Sequence, residues 1–301
     1  MAFLKTLPPD ISARLSKRQN RAGILHLMAH ISLILFAGTL IALRVPFWPL
    51  LLPIQGIFLI FLFTLEHEAT HKTPFANTRL NEAVGQIIGL IIFLPFQWFR
   101  YFHLAHHRYT NIPGKDPELL AGAKPEGWAN YIKYVSGIPY WIAIISQILR
   151  NALGHTDASY LPKTTHPRLK SEARIMLVFY ALAAFSLSFN LFLLWVWLMP
   201  VLLGQPFLRL YLLAEHGRCA FVANMFENTR TTLTTRLVRF LTWNMPFHVE
   251  HHLMPMVPFH QLPELHRLVR HHLRITENGY VAFTRTYVAA FFQEPETSEH
   301  P

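Results

Sequence analysis

Nine histidines in this chain stand at spacings that suit shared ligation of a cation. The densest group lies in Trp243-Asn244-Met245-Pro246-Phe247-His248-Val249-Glu250-His251-His252. Imidazoles at i, i+3 and i+4 share one face of a helix, so three rings can converge on one point. The same spacing recurs at His103-Leu104-Ala105-His106-His107; an i, i+4 pair stands at His67-Glu68-Ala69-Thr70-His71, and a single imidazole, His216, follows Glu215. Zinc takes about four ligands, so one tetrahedral ion leaves several of these rings idle, whereas two ions would employ all nine. Imidazole suits zinc, copper, iron or nickel, and spacing does not choose among them.

Neutral rings leave a bound cation's charge uncompensated, and acidic residues stand beside the groups: Glu66 and Glu68, Glu215, Glu250, and Asp116 nine residues after His107. Glu68, Asp116, Glu215 and Glu250 are expected to accept from the distal imidazole N–H groups and so fix tautomer and orientation, with Asn244 counted among these supporting neighbours. Taken alone, His67-Glu68-x-x-His71 is also the zinc-metalloprotease pattern, in which the glutamate is the general base. A protease leaves both HxxHH groups unexplained, and neither apolar hairpin described below contains the Asp that an intramembrane protease would use as a third ligand.

The elements that must carry these groups are apolar. Hydrophobic residues make up 52% of the 301 and the mean hydropathy is +0.25, above the roughly 45–50% of soluble domains. The net charge of +10 would suggest nucleic-acid binding on a soluble protein; here it reads as basic flanks of membrane spans, and no nucleic-acid partner is expected. Residues 23–65 are almost continuously apolar and interrupted only around Arg44-Val45-Pro46-Phe47-Trp48-Pro49. A crossing takes about 20 helical residues, so two spans are expected, at about 23–44 and 47–65. A second stretch gives spans at about 175–189 and 191–213, with a turn at Ser186-Leu187-Ser188-Phe189-Asn190. The expected fold is an all-α integral membrane protein of one domain: four transmembrane helices in two hairpins, interfacial helices, and a histidine-rich cap from 66–174 and 214–292, with a flexible tail at 293–301.

Two hairpins return every candidate ligand to one side. Arg14, Lys17, Arg18, Arg21, Arg100, Lys115, Lys170 and Arg174 flank that side while Arg44 is nearly alone on the other, which makes the ligand side cytosolic. The first twenty residues lack a continuous apolar core, so a cleaved signal peptide is not expected. Residues 84–96 are too short to span and read as a re-entrant or interfacial helix, and 131–149 as an amphipathic surface helix. Phe47, Trp48, Trp195 and Trp197 suit the membrane interface. Cys219 is the single cysteine, which excludes an internal disulfide and an iron–sulfur site. His26 and His30 read as packing residues; His260, His266, His271 and His272, interleaved with Arg267, Arg270 and Arg274, read as a solvated helix face. Gln205 and Arg209 are polar exceptions in the second stretch, placed to grip a polar headgroup or support the site.

The order HxxxH, HxxHH, lone His, HxxHH on this scaffold resembles the membrane fatty acid desaturase and hydroxylase superfamily over roughly 23–272. His107-Arg108-Tyr109-Thr110-Asn111 with Asp116-Pro117-Glu118 is similar to it as well, and Ala214-Glu215-His216-Gly217 resembles the lone-histidine segment of bacterial alkane hydroxylases. Phe226-Glu227-Asn228-Thr229-Arg230-Thr231-Thr232 is similar to a bacterial branch that includes rhizobitoxine- and rhizopine-linked enzymes. The resemblance implies that His67, His71, His103, His106, His107, His216, His248, His251 and His252 bind two ferrous irons that activate dioxygen as co-substrate. Leu212 stands where some desaturases place an additional asparagine ligand, so that ligand is not implied here. The implied reaction is desaturation of an acyl chain or related lipid; hydroxylation of an alkyl chain, or desaturation of a small amino-acid-like metabolite, are the alternatives. With no haem motif, no GxGxxG and no cysteine set in the sequence, the two electrons are expected from a separate ferredoxin, rubredoxin or cytochrome b5. The expected location is the bacterial inner membrane, termini and active site facing the cytosol.

Overall fold

A computed structural model describes residues 8–292; the tail expected at 293–301 lies outside them. The described chain is helical almost throughout. Helix α1 (Pro9–Leu15) leads into α2 (Asn20–Ala42), whose side chains are mostly apolar and largely exposed, with Gly23, His30, Ala37 and Ile41 buried. An all-round apolar helix with so little protein cover suits lipid as its solvent. The return is abrupt: Arg44 and Phe47 take left-handed backbone angles, φ 49° and 63°, next to Pro46 and Pro49, which cannot continue the first helix. The chain comes back as α3 (Leu51–Ile60) and, after a one-residue break at Phe61, α4 (Leu62–Thr70), every residue of which is buried.

Helices α5 (Thr78–Ile92) and α6 (Phe96–Tyr109) are bent against each other by 101°. Asn77 caps α5 by accepting from the Arg79 and Leu80 amides, and Phe93 ends it in the left-handed region, the usual geometry of a helix stop. The short helix α7 (Pro117–Ala121) is followed by α8 (Gly127–Val135) and α9 (Ile138–Leu153), bent by 53°. Then come α10 (His166–Ser186), a π-turn at Leu194–Leu198, and α11 (Met199–His216) with Pro206 inside it. Short pieces follow: α12 (Met225–Asn228), α13 (Arg236–Leu241), α14 (His248–Leu253), which carries the last three ligands, and α15 (Leu262–Val269). A two-residue parallel pair joins β1 (Thr231–Thr232) to β2 (Thr276–Glu277) ahead of α16 (Tyr280–Ala289).

Among the described residues three helices are long and apolar enough to cross a membrane, Pro9–Ala42, Trp48–Thr70 and Leu194–His216, or up to five if each bent pair is one span. The third expected span, at 175–189, is not among the three. It is the second half of α10, whose first half carries Arg168, Lys170, Glu172 and Arg174; the apolar remainder is too short for a bilayer core of about 30 Å. The expected turn after Ser186 is present as a break before the π-turn.

The span that delivers His67 and the span that delivers His216 lie backbone to backbone. A Cβ on Gly204 would stand 2.3 Å from the Gly56 carbonyl oxygen, and a Cβ on Gly56 would stand 2.2 Å from that of Pro200. Small residues permit such approach, which is how helices associate where no hydrophobic force separates protein from lipid. Gly204→Ala should cost about 1–3 kcal/mol, the scale of overpacking. Thermal unfolding in detergent reads this as a lowered melting temperature, and an unchanged one would mean that the spans do not meet here.

Candidate metal centre

Four elements aim the nine imidazoles inward. His67 comes from α4 and His71 from the residue that ends it; His103, His106 and His107 come from α6; His216 is the last residue of α11; and His248, His251 and His252 lie on α14. All are buried except the half-buried His107. One nitrogen from each of His67, His71, His103, His107 and His251 lies within 4.8 Å of the others, and a second such group joins His106, His216 and His252. His248 belongs with the second group: its Nε2 is 3.1 Å from those of His216 and His252. Nine rings thus sort into five and four.

The far nitrogens of the second group show what the near ones must be. His106 Nδ1 donates to Asp116, 2.9 Å from Oδ1. His216 Nδ1 donates to the Asn228 carbonyl at 3.0 Å, and His252 Nδ1 to Thr110 Oγ1 at 3.1 Å, while that hydroxyl itself donates to the His106 carbonyl. His248 Nδ1 lies 3.3 Å from Glu215 Oε1. A neutral imidazole with its proton on Nδ1 has a bare lone pair on Nε2. Yet His106 Nε2 and His216 Nε2 are 3.2 Å apart. Two lone pairs at that distance repel unless a cation lies between them, and four imidazole nitrogens, three of them on rings whose far nitrogen is hydrogen-bonded, meet the number of ligands an ion takes. The donors therefore fit a metal.

In the five-ring group, His67 Nε2 is 2.7 Å from His251 Nε2, His71 Nε2 2.9 Å from His103 Nε2, and His251 Nε2 3.1 Å from His107 Nε2. Glu68 Oε1 lies 3.6 Å from His251 Nδ1, while its Oε2 accepts from the Thr73 hydroxyl and the Phe259 amide. Burial, helped by Arg100, holds His71 down at about 3. Burial and then the neighbouring imidazoles hold His248, His251 and His252 well below the ordinary histidine value. These rings are neutral near pH 7 and their lone pairs are free for a cation.

Of the expected supporting residues, Asp116, Glu215 and Glu68 lie beside the rings as described, and Glu250 and Asn244 do not. Glu250 is fully buried, but it accepts from Thr231 Oγ1 at 2.6 Å and from His266 Nδ1 at 2.5 Å. The imidazole it holds is therefore on α15, where a solvated face was expected. Asn244 sits at φ 58° beside Trp243 at φ 49°, a left-handed corner that asparagine tolerates better than most residues, and donates to the Phe259 carbonyl at 3.0 Å. It shapes the approach to α14.

Other residues matter whose role spacing did not show. Asn111 and Asp116 work together, because Asp116 Oδ2 also accepts from the Asn111 amide while Asn111 Nδ2 reaches the Cys219 and Ala220 carbonyls. Arg230 donates to the Ala214 and Gly217 carbonyls, which answers the unpaired acceptors at the end of α11 and fixes His216. His26 and His30 pack as expected: His26 stacks on Phe240, and the Trp243 indole N–H donates to His30 Nδ1 at 3.3 Å.

The model of the fatty acid desaturase family matches residues 43–284. The chain belongs to the fatty acid desaturase family. It is 25% identical to the dihydrorhizobitoxine desaturase of Bradyrhizobium elkanii over 87% of its own length and 78% of that enzyme's. It is 26% identical to the human sphingolipid delta(4)-desaturase/C4-monooxygenase over 67% of this chain and 59% of the human one. A beta-carotene 4-ketolase from Haematococcus lacustris is 25% identical over 72% of this chain and 63% of the ketolase. As a member of the desaturase family the chain is an oxygen-dependent oxidoreductase and a membrane protein, with histidine groups able to hold metal.

The depressed histidines set a pH dependence. The unfolded chain takes up protons on these rings as pH falls through about 6.5, whereas the folded chain resists, so stability falls as pH drops below that value. Chelator-stripped protein should therefore melt at steadily lower temperature between about pH 7 and pH 5. A flat curve would contradict neutral, buried rings.

Proposed function

We propose that this desaturase-family enzyme holds two iron ions, one in each histidine group, and uses dioxygen and two external electrons to introduce a double bond into an acyl chain or related lipid. The convergence of lone-pair nitrogens in groups of five and four carries this reading, since a single ion cannot use both. Unactivated C–H bonds are beyond acid–base chemistry of side chains, so when bound the metal pair supplies dioxygen activation and hydrogen abstraction.

The chain's own part is positional. Asp116, the Asn228 carbonyl and Thr110 keep three ligand protons on the outer nitrogens, and Glu215 and Glu68 stand behind His248 and His251. Leu59, Leu62, Leu65 and Val249, all buried, flank the ligand-bearing helices and keep water from them, which protects a reactive centre from side reactions. The assignment of the ligand side to the cytosol rests on the basic flanks.

Metal analysis of purified protein should give about two irons per chain, and His251→Ala should lose at least half of them. Lipid and metabolite profiling of a host with and without the gene should reveal an oxygen-dependent product two hydrogens lighter than its precursor. A product heavier by one oxygen would assign hydroxylation instead, and full iron occupancy in His251→Ala would remove that ligand.

The electrons come from a separate carrier of ferredoxin, rubredoxin or cytochrome b5 type. Lys163, Lys170, Arg267 and Arg270 give the chain basic surface that suits an acidic carrier. Turnover with a reduced acidic carrier should fall several-fold as salt rises from about 50 to 300 mM, because exposed charges are screened within about 10 Å at 0.1 M. Rates independent of salt would exclude electrostatic docking.

A further inference from the structure

Helix α6 supplies rings to both histidine groups, His103 and His107 to the five and His106 to the four. Its position along its own axis therefore bears on both groups at once. Metal–ligand distances tolerate about 0.2 Å, while a helix that slips by half a residue moves about 0.75 Å. Whatever fixes the start of α6 also aims three ligands.

The sequence at that start offers no cap of its own. Pro95 holds the N-cap position and gives no side-chain bond to the first amides, where serine, threonine, aspartate or asparagine ordinarily serves. The acceptor comes from a distant helix. Glu172, in the charged first half of α10, places both carboxyl oxygens on the Gln97 amide, Oε1 at 3.1 Å and Oε2 at 3.0 Å. A carboxylate there also meets the positive end of the helix dipole. Helix α5 grips the same turn. Arg100 Nη1 donates to Glu82 Oε2 at 3.0 Å, its Nη2 lies 2.7 Å from Glu82 Oε1, and the Gln97 side-chain amide donates to Glu82 at 3.2 Å. The Phe96 ring lies so close to Gly85 that a Cβ there would stand 2.3 Å from it.

The two grips differ in kind. Helix α5 adjoins α6 across the short turn at Phe93 to Pro95, and its contacts hold the bend between them. Glu172 arrives 75 residues after Gln97 and holds a first-turn amide, which points along the helix axis. We propose that Glu172 is a positioning residue for the metal centre: from α10 its carboxylate sets the axial register of α6 and so the aim of His103, His106 and His107. This rests on the reading of the histidine groups as metal sites. It also gives a purpose to a carboxylate in a helix whose second half is apolar.

Two measurements on full-length protein in lipid nanodiscs test it. The first needs no metal. In stripped protein the Gln97 amide should be protected from hydrogen exchange, and Glu172→Ala should speed that exchange about tenfold or more, the scale of a lost bond to a charged group. Glu172→Gln retains a carbonyl oxygen and should stay within about threefold of native. The second uses cobalt(II) as the probe, whose visible absorption reports the number and geometry of its ligands. Glu172→Ala should weaken cobalt binding about tenfold, the scale for residues that orient ligands from outside, and alter the band shape; Glu172→Gln should restore both. Should Glu172→Ala not fold, Glu172→Asp draws the carboxylate back by one methylene and should alter the band in the same sense. Tyr180→Phe is the control for packing, since it removes the bond from the Tyr180 hydroxyl to the Leu90 carbonyl, 3.0 Å, which ties α10 to α5 rather than to α6. It should lower the melting temperature and leave the cobalt spectrum native. Native exchange or a native cobalt spectrum in the Ala or Asp variant would overturn the proposal. So would the same spectral change in Tyr180→Phe, because general packing of α10 would then be responsible, or an absence of recovery in Glu172→Gln. The number of cobalt ions bound by native protein judges the two-metal reading separately: fewer than two would remove that reading, while exchange of the Gln97 amide still judges the hold of Glu172 on α6.

Discussion

The constraint on which this structure depends is that nine imidazoles have to be held at close range in a water-poor interior. Left alone, such an arrangement is repulsive, and a ring free to turn would present a proton to its neighbour and relieve the repulsion. The chain prevents this from outside the cluster. Asp116, the Asn228 carbonyl, Thr110 and Glu215 each stand at the far nitrogen of a ring, so that turning a ring would break a buried hydrogen bond or contact. The repulsion is thereby kept in reserve for a metal, and its cost is borne by helix packing such as the Gly56–Gly204 contact, where two backbones meet without side chains between them.

This division between a tense centre and a firm surround explains the irregular local structure. Ligands on one long helix would all be aimed by a single axis; here they come from four elements in different orientations, which lets them surround two points. Short helices such as α14 have little stability of their own, and tertiary bonds hold them. Arg230 secures the end of α11, Asn244 makes a left-handed corner ahead of α14, and Glu250 ties α14 to β1 and to α15 through Thr231 and His266.

Much of this was legible in the sequence, for physical reasons that differ from residue to residue. The histidine groups stood out because helical spacing places i, i+3 and i+4 on one face, and the apolar hairpins because bilayer thickness sets a length. Asp116 and Glu215 were legible through their proximity to imidazoles along the chain. Glu250 was misread by the same logic, since a neighbour in sequence on a helix points elsewhere by about 100° per residue. The Asn228 carbonyl and Thr110 were invisible as ring anchors because a backbone acceptor or a hydroxyl leaves no type signature. The span expected at 175–189 is not confirmed, because the helix to which it belongs is charged over its first half.

The contacts of His26 with Trp243 and Phe240, and the bond from Trp243 to His30, have a meaning for biosynthesis. Helix α2 sets His26 and His30 against Phe240 and Trp243, just ahead of the ligands on α14, and the Phe259 amide that completes the bonding of Glu68 lies later still. Six of the nine ligands emerge before residue 220, so a growing chain carries a partial set of imidazoles with no closing piece. Helix α2 must wait for these partners until about two hundred further residues have been made. Closure of the centre thus waits for the segment from Phe240 to Phe259.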